Sequence, residues 1–260
     1  MNLSKPIVLS RGTIGGGKEP LICTPLVAGS EQTILQELAI VTAKSPDMIE
    51  WRVDFFEGID DTSRVVALAE KIRQSAKEIP VIFTRRSTRE GGEPVSIDEN
   101  QVLELYRAVC AAKYVDLIDY ELSSDPAHFQ AALEAAKKAE IRLIASYHNF
   151  QQTPAIEQIV EKLVLAEKSG ADIAKVAVMP RAIEDVLTLL TATLEAHRKI
   201  RLPIISMSMG EFGSLSRIFG WVFGSSVTFA VGDRTSAPGQ LPIEELRVVL
   251  EILQRSVTQK

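Results

Sequence analysis

Short apolar runs rich in Ile, Val and Phe recur along the chain, and each is followed by a longer segment whose apolar residues return every three or four positions. Continuous apolar runs mark buried strands and the 3.6-residue period marks amphipathic helices, so the alternation predicts a parallel sheet built from βα units. The strands read as Leu21–Pro25, Met48–Val53, Val81–Arg85, Val115–Glu121, Arg142–His148, Ile173–Val178, Ile204–Met209 and Val227–Val231. The helices read as Glu31–Ala43, Ser63–Ala76, Glu99–Lys113, Pro126–Ala139, Ala155–Ser169, Ala182–Lys199, Leu215–Phe223 and Pro242–Val257. Pro126, Pro154 and Pro242 suit helix starts, and Lys168-Ser169-Gly170 reads as a basic last turn closed by glycine. Eight βα units with strands apolar on both faces predict an α/β fold, a closed (β/α)8 TIM barrel in place of an open doubly wound sheet.

Residues 1–20 precede the first strand. Ile7-Val8-Leu9 and Pro20-Leu21 flank the glycines at 15–17, which predicts an N-terminal β-hairpin closing the bottom of the barrel. No linker, internal repeat or low-complexity tract divides the chain, so residues 1–260 are expected to form one barrel domain.

A length of 260 residues suits that expectation, since a barrel of this kind uses about 250. With 29 Lys and Arg against 34 Asp and Glu, the net charge is −5 and no block of like charge stands out. Nucleic acid and anionic membrane surfaces are therefore not the expected partners. Cys23 and Cys110 lie in separate apolar patterns and read as reduced core thiols. Arg11 and the glycines interrupt the N-terminal apolar run, and no run of about 18 apolar residues occurs, so a cytoplasmic protein is expected. Three scattered histidines without ligand spacing predict no bound metal. His128 and His197 fall in amphipathic helices, on faces expected to be solvated.

Charged residues cluster where barrel chemistry belongs, at the C-terminal ends of strands. Glu50 and Arg52 share one face of the second strand, Arg86 and Glu90 follow the third, and Asp119 and Glu121 share a face of the fourth. His148 ends the fifth, and Lys175 sits inside Ile-Ala-Lys-Val-Ala-Val of the sixth. An ammonium in so apolar a run snorkels or pairs with Asp172 or a barrel carboxylate, or else its pKa is lowered so that the amine can attack a carbonyl. The ionisable groups on adjacent strands favour the second reading. His148 is then the natural proton carrier, Glu90 can set its tautomer, and Arg52, Arg86 and Arg217 form a cationic rim for a substrate carboxylate. Ser236-Ala-Pro-Gly-Gln240 follows the last strand and is placed to cover the mouth.

The ordered set of Glu-Trp-Arg-Val-Asp at 50–54, Arg-Ser-Thr-Arg-Glu-Gly-Gly at 86–92, Ser-Tyr-His-Asn-Phe at 146–150, Ile-Ala-Lys-Val-Ala-Val-Met-Pro at 173–180, Met-Ser-Met-Gly at 207–210, Ser-Arg at 216–217 and Ser-Ala-Pro-Gly-Gln at 236–240 resembles the type I 3-dehydroquinate dehydratases over nearly the whole chain. The resemblance implies a lyase that dehydrates 3-dehydroquinate to 3-dehydroshikimate by syn elimination, in the shikimate pathway of aromatic amino acid biosynthesis or in quinate catabolism, working without a cofactor as a homodimer. It implies that Lys175 forms a Schiff base with the C3 ketone of 3-dehydroquinate, that His148 moves the C2 proton, and that Glu90 orients His148. By the same resemblance Arg217 clamps the ring carboxylate, Glu50, Arg52 and Arg86 hold hydroxyls, Ser236 and Gln240 close over the substrate, and Met209 packs near the lysine. Two rivals share parts of this pattern. A class I aldolase uses the same lysine imine but usually a phosphate site near strands seven and eight, where glycine-rich loops are thin here. A catalytically silent barrel that binds a carboxylate has no use for Lys175, His148 and Glu90 together.

Overall fold

The computed structural model describes residues 5–9, 12–15, 19–234 and 239–258, without the side chains of 257 and 258. Among these residues a sheet of eight parallel strands runs β1 (Leu21–Leu26), β2 (Met48–Arg52), β3 (Val81–Thr84), β4 (Leu117–Glu121), β5 (Arg142–Asn149), β6 (Ile173–Val178), β7 (Ile204–Ser208) and β8 (Val227–Phe229). Each pairs with its neighbour in chain order, and β8 pairs with β1 through Val227↔Leu21 to Phe229↔Cys23. The ring meets between β7 and β8, where Ile204 bridges Ser225 and the Ser226 N–H donates to Ile204 O at 2.7 Å. Among the described residues the eight strands thus form a nearly closed barrel.

Helices α1 (Glu31–Ala43), α2 (Thr62–Ala76), α3 (Glu99–Ala112), α4 (Pro126–Ala139), α5 (Ile156–Lys168), α6 (Ile183–Lys199), α7 (Gly213–Phe219) and α8 (Ile243–Thr258) follow their strands in turn. Their starts are set by local chemistry. Asp61, Asp98 and Asp125 cap α2, α3 and α4 by accepting first-turn backbone N–H groups, and Pro126 opens α4. No helix among the described residues is long and apolar enough to cross a membrane.

Strand alternation splits the barrel into two environments. Outward residues such as Trp51, Phe83, Tyr120 and Val176 join the main core under the helices. Inward residues are layered. Cys23, Met48, Ile82, Leu117, Ile144, Ile173, Ile205 and Val227 make a dry floor, packed from below by Ile7 and Ile14 of a two-stranded hairpin, Ile7–Val8 against Thr13–Ile14. One pleat higher the same strands present Glu50, Thr84, Asp119, Ser146 and Lys175, so polarity changes within a single repeat of the strand period.

Several boundaries differ from the sequence reading. The hairpin pairs Ile7–Val8 with Thr13–Ile14, and Leu9 N–H donates to Gly12 O at 3.1 Å, so its two strands do not flank the glycines of 15–17 as expected; 16 and 17 lie outside the described residues. Leu21 cannot return the hairpin because its backbone is already paired with β8. Val53 leaves β2 for a 3₁₀ turn at Val53–Phe55, Val115 and Arg85 fall outside their strands, and the expected Leu215–Phe223 helix divides into α7 and a 3₁₀ turn at Gly220–Phe223. Pro154 and Pro242 precede α5 and α8 without entering them. His128 and His197 are half-buried, His197 lying against the backbone of Gly224.

Candidate active site

Nine of the predicted site residues line one pocket at the C-terminal mouth, about 470 Å³ including its opening: Glu50, Arg52, Arg86, Glu90, His148, Lys175, Met209, Arg217 and Gln240. Ser236 lies outside the described residues. Phe150, Met207 and Phe229, to which the sequence reading gave no role in the site, complete the walls with Gly91 and Ala177.

Lys175 is 4% exposed on β6. Its Nζ donates to Asp119 Oδ2 at 2.8 Å and Glu50 Oε1 at 3.1 Å, and lies 4.8 Å from the centroid of the Phe229 ring. Of the two readings offered for this lysine, pairing with barrel carboxylates is the one observed, and the favoured expectation of a depressed amine pKa is corrected. Burial disfavours the ammonium, but the Asp119 and Glu50 carboxylates outweigh it and the Lys175 pKa is raised. Asp172, offered as a possible partner, instead binds Arg142 at 3.1 Å.

Asp119 was noted only as a strand-face charge, yet it is central. Its Oδ1 accepts from Arg86 Nη2 at 2.8 Å and Ser146 Oγ at 2.6 Å, while Oδ2 holds Lys175. Burial alone would raise its carboxyl, but Arg86, Lys175 and His148 hold it well below the usual carboxylate range. Arg86 also donates Nη1 to Ser146 Oγ at 2.9 Å and Glu121 Oε1 at 3.2 Å. Its guanidinium is thus taken up in holding the network, and burial fails to lower its pKa because Asp119, Glu121, Glu90 and Glu50 surround it. Arg86→Ala would leave these carboxylates buried without their shared cation. It is expected to destabilise the fold by about 3 to 5 kcal/mol, read as a lower urea midpoint at pH 7.

Glu90 arrives on a 3₁₀ turn at Thr88–Glu90. The turn requires glycine after it: Gly91 has φ +81° with Phe150 packed on its Cα, and a Cβ at Gly92 would lie 2.0 Å from Arg86 O. Glu90 Oε2 accepts the His148 backbone N–H and faces its Nδ1, each at 2.9 Å, and Oε1 accepts from Ser123 Oγ. Burial and the Glu121 charge prevail over Arg86 and push Glu90 up to about 7. Burial, with Arg86 and Lys175 adding repulsion, pulls the imidazole well below its ordinary value, so His148 is neutral at pH 7. On the sheet His148 pairs with Ala177, two residues beyond Lys175, which sets the imidazole about 7 Å up the barrel wall from the lysine's own position.

Arg217 projects from α7, its Nε donating to Gly239 O at 3.0 Å and Nη1 to Phe229 O at 3.3 Å. Burial brings its pKa down to about 10, which leaves it charged at neutrality. On the other side Arg52 makes a two-bond pair with Asp54. The pocket therefore offers two guanidinium groups, a lysine held by carboxylates, and a carboxylate–imidazole dyad, which suits an anionic carbonyl substrate.

The type I 3-dehydroquinase family matches residues 22–257. The chain belongs to that family. It is 61% identical over 257 residues to the 3-dehydroquinate dehydratase of Aromatoleum aromaticum, covering 99% of both chains. The 3-dehydroquinate dehydratase of Geobacillus kaustophilus has the same fold, with a TM-score of 0.96 and 46% identity over the whole of both chains. The type I enzyme of Clostridium difficile, solved with covalent modified comenic acid, has a TM-score of 0.93 at 38% identity and covers 97% of this chain and 99% of its own.

Proposed function

We infer that this family member dehydrates 3-dehydroquinate to 3-dehydroshikimate, a step of the shikimate pathway, through a Schiff base on Lys175. The observation that carries the reading is a dry lysine amine on the same wall, and in the same pocket, as a neutral imidazole held by a carboxylate. A covalent ligand in the Clostridium difficile relative supports it.

The resting ammonium gives one proton to His148, and the amine attacks the C3 ketone. The carbinolamine hydroxyl leaves as water with that proton, forming an iminium. Electron withdrawal by the iminium makes the C2 hydrogen acidic, and His148 Nε2 removes it to give an enamine. The enamine expels the C1 hydroxyl, which takes the proton back from the imidazolium and leaves as water. A final water hydrolyses the iminium, releasing product and restoring the ammonium. Asp119 and Glu50 stabilise the cation at nitrogen before and after the covalent steps. Arg217 binds the substrate carboxylate, and Arg52 with Glu50 holds the ring hydroxyls. Enone absorbance should rise when 3-dehydroquinate is added to the purified chain, and a flat trace overturns the reading.

Its pH dependence follows from the dyad. Ionised Glu90 accepts from Nδ1–H and leaves Nε2 free as base, whereas protonated Glu90 donates to Nδ1 and puts the ring proton on Nε2. As pH falls through about 7, kcat/KM should therefore fall, although the imidazole itself titrates lower. Glu90→Gln should lower kcat and remove this limb. A variant that keeps it refutes the assignment to Glu90.

A further inference from the structure

Asp54, 4% exposed and outside the reacting groups, accepts four hydrogen bonds from three parts of the chain. Arg52 donates Nε to Oδ1 at 2.9 Å and Nη2 to Oδ2 at 2.7 Å. The Arg86 backbone N–H donates to Oδ1 at 3.2 Å, and that of Glu93 to Oδ2 at 3.1 Å. An ionised carboxylate has about four lone-pair sites, so this one is filled. Burial pushes its carboxyl up, but the Arg52 contact prevails and keeps it ionised.

The two backbone donors are the ends of segment 86–93, which carries Arg86, Glu90 and both turn glycines. Drawing both ends onto one anion closes the segment into the loop that delivers Glu90 to His148. The same anion takes the Nε–Nη2 edge of Arg52, whose guanidinium also rests 5.0 Å from the Phe55 ring. Nη1 is the Arg52 donor outside this pair, and Arg52 lines the pocket. We propose that Asp54 is a positioning residue that aims Arg52 at the substrate and, through the loop it closes, places Glu90 against His148.

The proposal rests on the roles given above to Arg52 and Glu90. It requires a carboxylate. Each Asp54 oxygen receives one Arg52 bond and one backbone bond, so an amide NH₂ at either position sets a donor against two donors. Asp54→Asn therefore disturbs the guanidinium and the loop together, whichever way the amide turns.

The test is a double-mutant cycle with 3-dehydroquinate as substrate: wild type, Arg52→Ala, Asp54→Asn and the double variant, each confirmed as folded by its thermal transition. Asp54→Asn should raise KM roughly 10 to 100-fold, the scale of a lost hydrogen bond to a charged group, and blunt the acid limb near pH 7. In the Arg52→Ala background it should leave KM where Arg52→Ala set it, yet still alter the acid limb. Additive KM effects, or a folded Asp54→Asn with wild-type KM and pH profile, overturn the proposal. If Asp54→Asn does not fold, Asp54→Glu keeps the charge but moves it by one methylene, and wild-type KM and pH profile in that variant overturn it equally. A wild-type chain that leaves 3-dehydroquinate unchanged sinks the functional reading, whereas turnover with additive KM effects sinks this inference alone.

Discussion

Borohydride added during turnover of 3-dehydroquinate is expected to fix the ligand on Lys175, and Lys175→Met is expected to lose about 10⁴-fold or more in kcat. Hydride reduces an iminium to a stable secondary amine and leaves a noncovalent complex free to dissociate, so peptide mass mapping separates covalent from noncovalent binding. The size of the loss is of the order seen when a covalent nucleophile is removed from an enzyme that acts through it. Methionine keeps the apolar stem that packs within the barrel but abolishes the amine. Since Asp119 keeps Arg86 and Ser146 as donors, the strand network retains a cation after the substitution. The variant's circular dichroism should accordingly remain that of a folded barrel. Label on another lysine, or a folded Lys175→Met with wild-type kcat, refutes the covalent route.

His148→Ala is expected to lower kcat by roughly 10² to 10⁴-fold, the range for loss of a positioned acid–base group. Its effect should be selective. Borohydride should still label Lys175, more slowly, because imine formation loses its proton acceptor but keeps its nucleophile, whereas C2 proton removal and departure of the C1 hydroxyl lose their carrier altogether. Imine should therefore accumulate relative to product. Unchanged turnover, or trapping abolished in a folded variant, refutes this division of labour. The structure supplies the reason for expecting it: Nδ1 is held by Glu90 at 2.9 Å, so the ring is oriented with Nε2 as the reacting nitrogen.

Much of this was legible in the chain because strand alternation is a local property. Glu50 and Arg52, Asp119 and Glu121, and His148 and Lys175 could be set on faces and strand ends by counting, and all but Asp119 and Glu121 line the pocket. What counting missed was partnership. Lys175 meets Glu50 across 125 positions and Asp119 across 56, so its charge state depends on strands brought together by closure and tilt. The sequence favoured a lowered amine pKa over pairing with a barrel carboxylate; the fold puts two carboxylates in direct contact with the amine. Tyr106 shows the same limit. It lies in α3, and its hydroxyl accepts from Arg85 N–H at 2.8 Å and donates to Asp119 O at 2.7 Å, joining the ends of β3 and β4.

The amino-acid order by itself determined the eight-fold βα rhythm, the closed barrel and the strand ends at which chemistry would gather, since periodicity and patterning act over a few residues. Only the tertiary structure decided that the resting lysine is a carboxylate-held ammonium, that Arg86 ties polar side chains of β4 and β5 into one network, and that Asp54 closes the loop bearing Glu90. Those outcomes depend on desolvation and on contacts between distant segments, neither of which exists until the ring has formed.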